Sequence, residues 1–211
     1  RITTQSSKIA MPEVNIGLFP DVGGTRFLSH LPGQLGIYLG VTGQTITAAD
    51  ALYCGMADLA LEDRAVEKFK KIIPNIYAPS RKEMLQEAHE IYGQENGLMN
   101  IDLQQSLLAR MRPCIDAAFA QEHISEIMEA LNKESRPEFK EFATSTLATM
   151  RKRSPLLMQV SLKAIRRAKN MTLAQALRME RNLVRRTFEH GEVIEGVRAL
   201  VIDKDHAPRW R

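Results

Sequence analysis

Cysteine is scarce in this chain of 211 residues: Cys54 and Cys114 stand far apart, and neither has a second cysteine or a histidine nearby. That spacing excludes a disulfide framework and a zinc site, and it points to a reducing compartment. Long apolar runs are missing as well. No stretch approaches the ~20 residues that a membrane-spanning helix needs, and the N-terminus lacks the basic, apolar and small-residue succession of a signal peptide. Charge of one sign is never massed, because 29 Lys and Arg are interspersed with 25 Asp and Glu to leave a net charge of +4. A surface dedicated to nucleic acid is therefore not indicated, whereas a small ligand carrying phosphate suits the mild basic excess. With 44% apolar and 26% charged residues the chain can bury one substantial core and is globular. It opens at Arg1 without an initiator methionine, and the polar, β-branched stretch to Lys8 reads like the interior of something longer. A fragment or a trimmed chain is the expectation.

Turn residues and apolar periodicity then divide the chain. A short strand is predicted over Lys8 to Met11, followed by a loop, Gly17 to Gly24, dense in Pro and Gly. Short helices follow over Thr25 to Leu31, stopped by Pro32-Gly33, and over Leu35 to Val41, ended by Gly43. Thr47 and Asp50 form a capping-box pattern ahead of a helix over Ala48 to Tyr53, and Leu59 to Leu61 reads as a brief strand. Beyond residue 62 the spacing is helical. One stripe runs through Met84, Leu85, Ala88, Ile91 and Tyr92, another through Ile124, Ile127, Met128 and Leu131, and a third from Phe139 to Met150 behind Pro137. Ser154-Pro155 starts a further helix. Thr172 with Gln175 opens the next, with Leu173, Ala176, Leu177, Leu183, Val184 and Phe188 as its predicted core face and Gly191 at its end, and a last amphipathic piece spans Val193 to Ile202.

Chemistry concentrates in Met11-Pro12-Glu13-Val14-Asn15-Ile16-Gly17-Leu18-Phe19-Pro20-Asp21-Val22-Gly23-Gly24-Thr25. Two carboxylates sit eight residues apart, one just after the short strand and one in a loop that feeds a helix. If that loop folds back, both face one pocket with Leu18 and Phe19 as apolar walls, and partial burial lets one of them hold a proton near neutrality. A plainer reading stays open on spacing alone, with Glu13 as a solvated loop residue and Asp21 as a helix cap. Gly23-Gly24 at a helix start could cradle an anion or simply permit a tight turn.

Met11-Pro12-Glu13 followed by Ile16-Gly17-Leu18-Phe19-Pro20-Asp21-Val22-Gly23-Gly24 resembles the active-site segment of the 3-hydroxyisobutyryl-CoA hydrolases, a branch of the crotonase superfamily. Most of that superfamily has another residue where this chain has Asp21. The resemblance continues through Leu39 to Gly43, through Ala48, Ala49, Asp50, Ala51 and Gly55, and through Glu195-Gly196-Val197-Arg198-Ala199, Ile202-Asp203-Lys204-Asp205 and Pro208-Arg209-Trp210 near the end. It implies an α/β crotonase-like spiral fold, of which this chain holds a mostly α-helical portion with remnants of the sheet. Three segments are implied: 1–61 as the C-terminal part of the crotonase core with the active-site segment, 62–153 as a helical insertion, and 154–211 as a C-terminal helical region.

The same resemblance implies hydrolysis of a short-chain 3-hydroxyacyl-CoA thioester, the 3-hydroxyisobutyryl-CoA of valine catabolism, with Glu13 and Asp21 catalytic. Leu18, Phe19, Val22, Gly23 and Gly24 would bind substrate, and Lys204 is marked by position alone as a contact to the CoA phosphates. Neither a metal nor a cofactor is implied, since coenzyme A arrives as part of the substrate. The expected partners are the acyl-CoA and the N-terminal half of the same protein, whose backbone amides hold the thioester oxygen. Nucleic acid and membrane are not among them, and a homo-oligomer is open. A bacterial cytoplasm or a mitochondrial matrix suits such an enzyme. Lys163, Arg166, Arg167 and Lys169 read as a solvated face. Two rivals stand beside this reading: an enoyl-CoA hydratase or isomerase, against which Asp21 argues, and a non-catalytic helical interaction module.

Overall fold

The computed structural model describes residues 1–75, 80–91, 93 and 97–211. In chain order it comprises strand β1 (Ile2–Thr4), a 3-10 turn (Pro12–Ile16), and helices α1 (Gly24–Ser29), α2 (Leu35–Thr42) and α3 (Ala48–Tyr53). Strand β2 (Leu59–Leu61) follows, then helices α4 (Val66–Ile72), α5 (Arg81–Ile91), α6 (Leu107–Ala118), α7 (Ile124–Asn132), α8 (Pro137–Met150) and α9 (Pro155–Ala168). The last are α10 (Leu173–His190) and α11 (Glu192–Val197), which runs into a π-helical turn at Arg198–Ile202. No helix among the described residues is long and apolar enough to cross a membrane.

Two compact units form, one from residues 1–9 and 46–110, the other from 10–45 and 111–211. They cut across the segments expected from sequence, since 62–153 is shared between them. In the first unit β1 and β2 pair in parallel, Ile2 with Leu59 and Thr4 with Leu61. Leu59, Leu61, Ala65, Phe69 and Ala88 make its core. The strand predicted over Lys8 to Met11 is an isolated bridge instead, in which Ile9 exchanges both backbone hydrogen bonds with Ile46. It goes no further because Pro12 has no N–H to offer and opens the 3-10 turn. Asp50 closes the predicted capping box of α3 and also accepts from Ser106 and the Leu108 amide. The predicted position Tyr92 lies outside the described residues.

The second unit is built around α2. All eight of its residues are buried, so the helix is apolar on every side and must be surrounded. Helices α1, α8 and α9 do this. Tyr38 of α2 meets the ring of Phe119 edge-on at 5.4 Å and that of Phe142 at 5.6 Å. The stripes of α7, α8 and α9 turn inward as their spacing predicts, with Ile127, Leu131, Met150, Leu157 and Ile165 all buried.

Helix α10 departs from expectation. Its capping box and terminal Gly191 are present, but Leu173 and Phe188 are each 55% exposed and Leu177 is 43% exposed. The buried positions are Ala176, Glu180 and Thr187, which form the face turned towards α1 and α11. The apolar arc is thus wider than the contact, and a carboxylate occupies the centre of the contact.

Candidate functional site

Pro12 is suited to the first position of a helical turn, where its missing N–H costs nothing, and it places Glu13 in the first turn with Val14 as a fully buried anchor. Gly17 ends the turn in the left-handed region (φ +68°). The reason is a close approach: a Cβ at Gly17 would overlap the Glu192 carbonyl oxygen and lie 2.8 Å from the Glu192 carbonyl carbon and 2.9 Å from Cζ3 of Trp210. The tail itself is pinned, since the Trp210 indole donates to the Lys152 carbonyl (3.1 Å) and the Arg211 amide to Glu192 (2.9 Å). Arg198 gathers Glu195, Asp203 and Asp205 around its guanidinium, which holds the Glu195 carboxyl down at about 2.

Glu13 is half-buried, and among the described residues no donor reaches its buried Oε2, nor Asn15 Oδ1 on the same turn. Burial pushes its carboxyl above the usual range, and the negative charge of Asp21 pushes it further. Asp21, also half-buried, stands on the turn that starts α1, where its carbonyl accepts from the Gly24 amide at 2.7 Å. Its carboxyl is raised by burial and then by the charge of Glu180. The structure therefore brings Glu13 and Asp21 within electrostatic reach of each other and adds a third acid.

Glu180 had no place in the sequence prediction. It is 2% exposed, and it takes the donors at the start of α1: Oε2 accepts from the Gly23 amide at 2.7 Å, and Oε1 accepts from the Thr25 amide at 3.1 Å and from the Thr25 hydroxyl. The Gly23-Gly24 turn does cradle an anion, and that anion is a side chain of the same chain. A signal existed in the sequence, because Ala176, Glu180 and Thr187 follow one another at helical spacing and a glutamate on a core stripe needs a partner.

The other predicted residues separate. Leu18 is partly buried, and Phe19 is wholly buried in the core. Val22 is 83% exposed with a left-handed backbone (φ +48°), an outlier for a β-branched residue. Gly24 lies beneath the Met11 side chain. Lys204 is exposed in the tail, with φ +55°. Of the basic residues on α9, Arg166 is committed to the carbonyls of Phe119, Ala120 and Gln121 that follow α6. Both cysteines are buried and unpaired, and burial pushes the Cys114 thiol up to about 11.

The family model described as enoyl-CoA hydratase/isomerase matches residues 1–211. The chain is 31% identical over 212 residues to the mitochondrial 3-hydroxyisobutyryl-CoA hydrolase of Danio rerio, covering all of this chain and 53% of that protein. At 32% identity it matches the small ribosomal subunit protein mS47 of Arabidopsis thaliana, of which it covers 51%. Among solved structures, a carnitinyl-CoA dehydratase from Mycobacterium thermoresistibile superposes with a TM-score of 0.80 at 31% identity, over 100% of this chain and 56% of that one. The chain spans about half the length of the curated relatives it matches.

Proposed function

We propose, from the premise that this chain belongs to the enoyl-CoA hydratase/isomerase family, that it carries the acid/base pair of an enzyme hydrolysing a short-chain 3-hydroxyacyl-CoA thioester. The observation that carries this reading is the pair itself: Glu13 and Asp21 are both half-buried, both have raised carboxyl pKa values, and Glu13 turns a buried oxygen to no protein donor. A raised pKa makes a carboxylate a better proton acceptor and keeps a carboxyl protonated to higher pH, and thioester cleavage needs one proton taken and one given.

In the general-base route, Glu13 takes a proton from water and the hydroxide oxygen bonds to the thioester carbon. The C–S bond then breaks, and Asp21 gives its proton to the departing CoA sulfur. In the nucleophilic route, a Glu13 carboxylate oxygen bonds to the thioester carbon, the C–S bond breaks and the CoA sulfur takes the Asp21 proton, and water then opens the mixed anhydride to give the free acid and return the Glu13 carboxyl. The Gly23 and Thr25 amides at the start of α1 are filled by Glu180, so on this reading the thioester oxygen needs donors other than these two. The substrate named for the hydrolase relative, 3-hydroxyisobutyryl-CoA, is the first to test, and that relative's mitochondrial location is the one to check.

The test is release of free CoA thiol by the full-length protein from 3-hydroxyisobutyryl-CoA and other acyl-CoAs, with Glu13→Gln beside the wild type. Glu13→Gln should lower turnover by about 10²–10⁴ or more with CoA binding retained. Hydration of an enoyl-CoA without thiol release would instead favour a hydratase reading, in line with the likeness to the carnitinyl-CoA dehydratase. The likeness to mS47 gives the non-catalytic reading a definite form, which activity on no acyl-CoA would favour.

A further inference from the structure

We infer that Glu180 is a positioning residue of this site, whose carboxylate clamps the Gly23 to Thr25 backbone from α10 and thereby fixes where Asp21 stands. The inference rests on the reading of Glu13 and Asp21 as the acid/base pair and adds a residue that touches neither substrate nor reacting atom.

Three observations carry it. Both carboxylate oxygens are used, on three donors that flank Gly24, two residues or fewer from Asp21 on one side and continuing into α1 on the other. Glu180 and Thr25 are 2% and 0% exposed, so these bonds work without competition from bulk water. The segment they hold is also strained: Val22, between Asp21 and the clamped Gly23 amide, keeps a left-handed backbone while its side chain is 83% exposed. Nothing in the packing of an exposed side chain enforces that conformation. A backbone outlier persists only where its surroundings over-determine it, and here the surroundings are the clamp on Gly23 and the Gly24 bond to the Asp21 carbonyl.

The clamp also reaches the other acid. Gly24 packs beneath the Met11 side chain, and Met11 caps the turn that carries Glu13. Helix α10 meets α1 through this contact face, with the Leu173 side chain beside Gly23, while Leu177 and Phe188 remain largely exposed. Anion recognition at a helix start, which in many proteins serves a ligand, is used here to lock a loop.

A fixed charge comes with the fixed geometry. Among the described residues, the charge of Glu180 from α10 raises the Asp21 carboxyl, and the charge of Asp21 in turn raises that of Glu13. Replacing Glu180 by a neutral side chain therefore makes Asp21 a stronger acid, and the limb of the kcat profile that reports Asp21 moves to lower pH.

The experiment measures CoA release from 3-hydroxyisobutyryl-CoA across about pH 5 to 9 by the full-length protein and by Glu180→Gln, Thr25→Val, Thr25→Ser and Asp21→Asn, with a circular-dichroism melt for each. Glu180→Gln keeps the size of the side chain but turns one acceptor oxygen into a donor facing donors. It should lower kcat by about 10- to 100-fold with KM changed by less than about threefold, and shift the Asp21 limb to lower pH. Thr25→Val should lower kcat in the same direction, and Thr25→Ser, which keeps the hydroxyl, should restore it. A folded Glu180→Gln or Thr25→Val with wild-type kcat and an unmoved limb overturns the inference. So does activity lost in both only in proportion to unfolded protein, since that is what a purely structural carboxylate would give. Full turnover in Asp21→Asn removes the acid/base reading itself, whereas full turnover in Glu180→Gln beside an inactive Asp21→Asn removes the clamp alone.

Discussion

Adding one methyl group at Gly17 should uncouple the C-terminal tail from the turn that carries Glu13. Two costs can be worked out from the structure. An alanine held at φ +68° pays about 1–2 kcal/mol for a left-handed backbone. Its Cβ then meets backbone, not a yielding side-chain tip: the Glu192 carbonyl overlaps it, with the carbonyl carbon at 2.8 Å and the Trp210 ring at 2.9 Å. Forcing α11 away adds an overpacking cost of about 1–3 kcal/mol. Together these give about 2–5 kcal/mol, which for a chain of this size lowers Tm by roughly 4–20 °C.

Gly191→Ala is the matched control. It lies in the same unit, its φ is +83°, and its Cβ would find only the Arg211 guanidinium at 3.5–3.7 Å, an ordinary contact. It should pay the backbone cost alone. Urea unfolding followed by circular dichroism gives both stabilities, and the emission of Trp210, the one tryptophan in this chain, reports whether the tail stays docked. Gly17→Ala should also lower turnover, because the turn it disturbs aims Glu13. Equal destabilisation by the two alanines, with unchanged Trp210 emission, would refute the close-contact explanation.

Two further outcomes follow from the carboxylates. Asp50→Asn leaves one acceptor oxygen where two served Thr47, Ser106 and Leu108, and should cost about 1–3 kcal/mol for each donor left stranded, read as a urea midpoint. Burial pushes the Asp50 carboxyl up, but the Leu108 and Thr47 amides and the Ser106 and Thr47 hydroxyls outweigh it and hold the carboxyl below its usual range. Its contribution is therefore present above the unfolded pKa near ~3.9 and lost as pH falls through the lower folded value, so the variant should lose less stability in acid than the wild type. Glu13 has the opposite sign. Its folded pKa is raised, so its contribution is present below the unfolded value near ~4.3 and disappears as pH rises through the folded one. Glu13→Gln should consequently match or exceed wild-type stability at neutral pH while turnover is lost, and a lower urea midpoint at pH 7 would contradict the burial argument.

Local chemistry made much of the fold legible. Thr47 with Asp50, Thr172 with Gln175, Ser154 before Pro155, and Gly43 and Gly191 past their helices each mark an end by bonds that reach only a few residues. Where the sequence misled, the deciding partner was distant or the local rule was overridden. Helix α6 carries a helix breaker, Pro113, inside it, so local sequence rules argue against it. The facing of α10 could not be read because its apolar arc is wider than the surface this chain covers, so periodicity gave the arc and packing chose which part is buried. Glu13 and Asp21 were visible because eight residues of Pro/Gly loop can bring them together, whereas Glu180 meets Thr25 from 155 residues away.

The polar groups of the site divide into those the chain has satisfied and those it has not. The amides of Gly23 and Thr25, which a helix start would otherwise offer to an anion, are filled by Glu180. The Glu13 carbonyl is filled by the Leu18 amide at 3.1 Å, and the Asp21 carbonyl by Gly24. Every one of these bonds fixes backbone and leaves nothing for a substrate to displace cheaply. Glu13 Oε2 is one of three buried oxygens around this turn that no donor among the described residues reaches, with Asn15 Oδ1 and Glu192 Oε2, and of the three it belongs to the proposed acid/base pair. Burial of such an atom costs stability, and the cost is compensated only when a proton, a water or a substrate hydroxyl supplies the missing donor. Those are the species an acid/base glutamate exchanges in thioester hydrolysis, so on the proposed reading the turns stay rigid while the unsatisfied oxygen of Glu13 does the proton transfer.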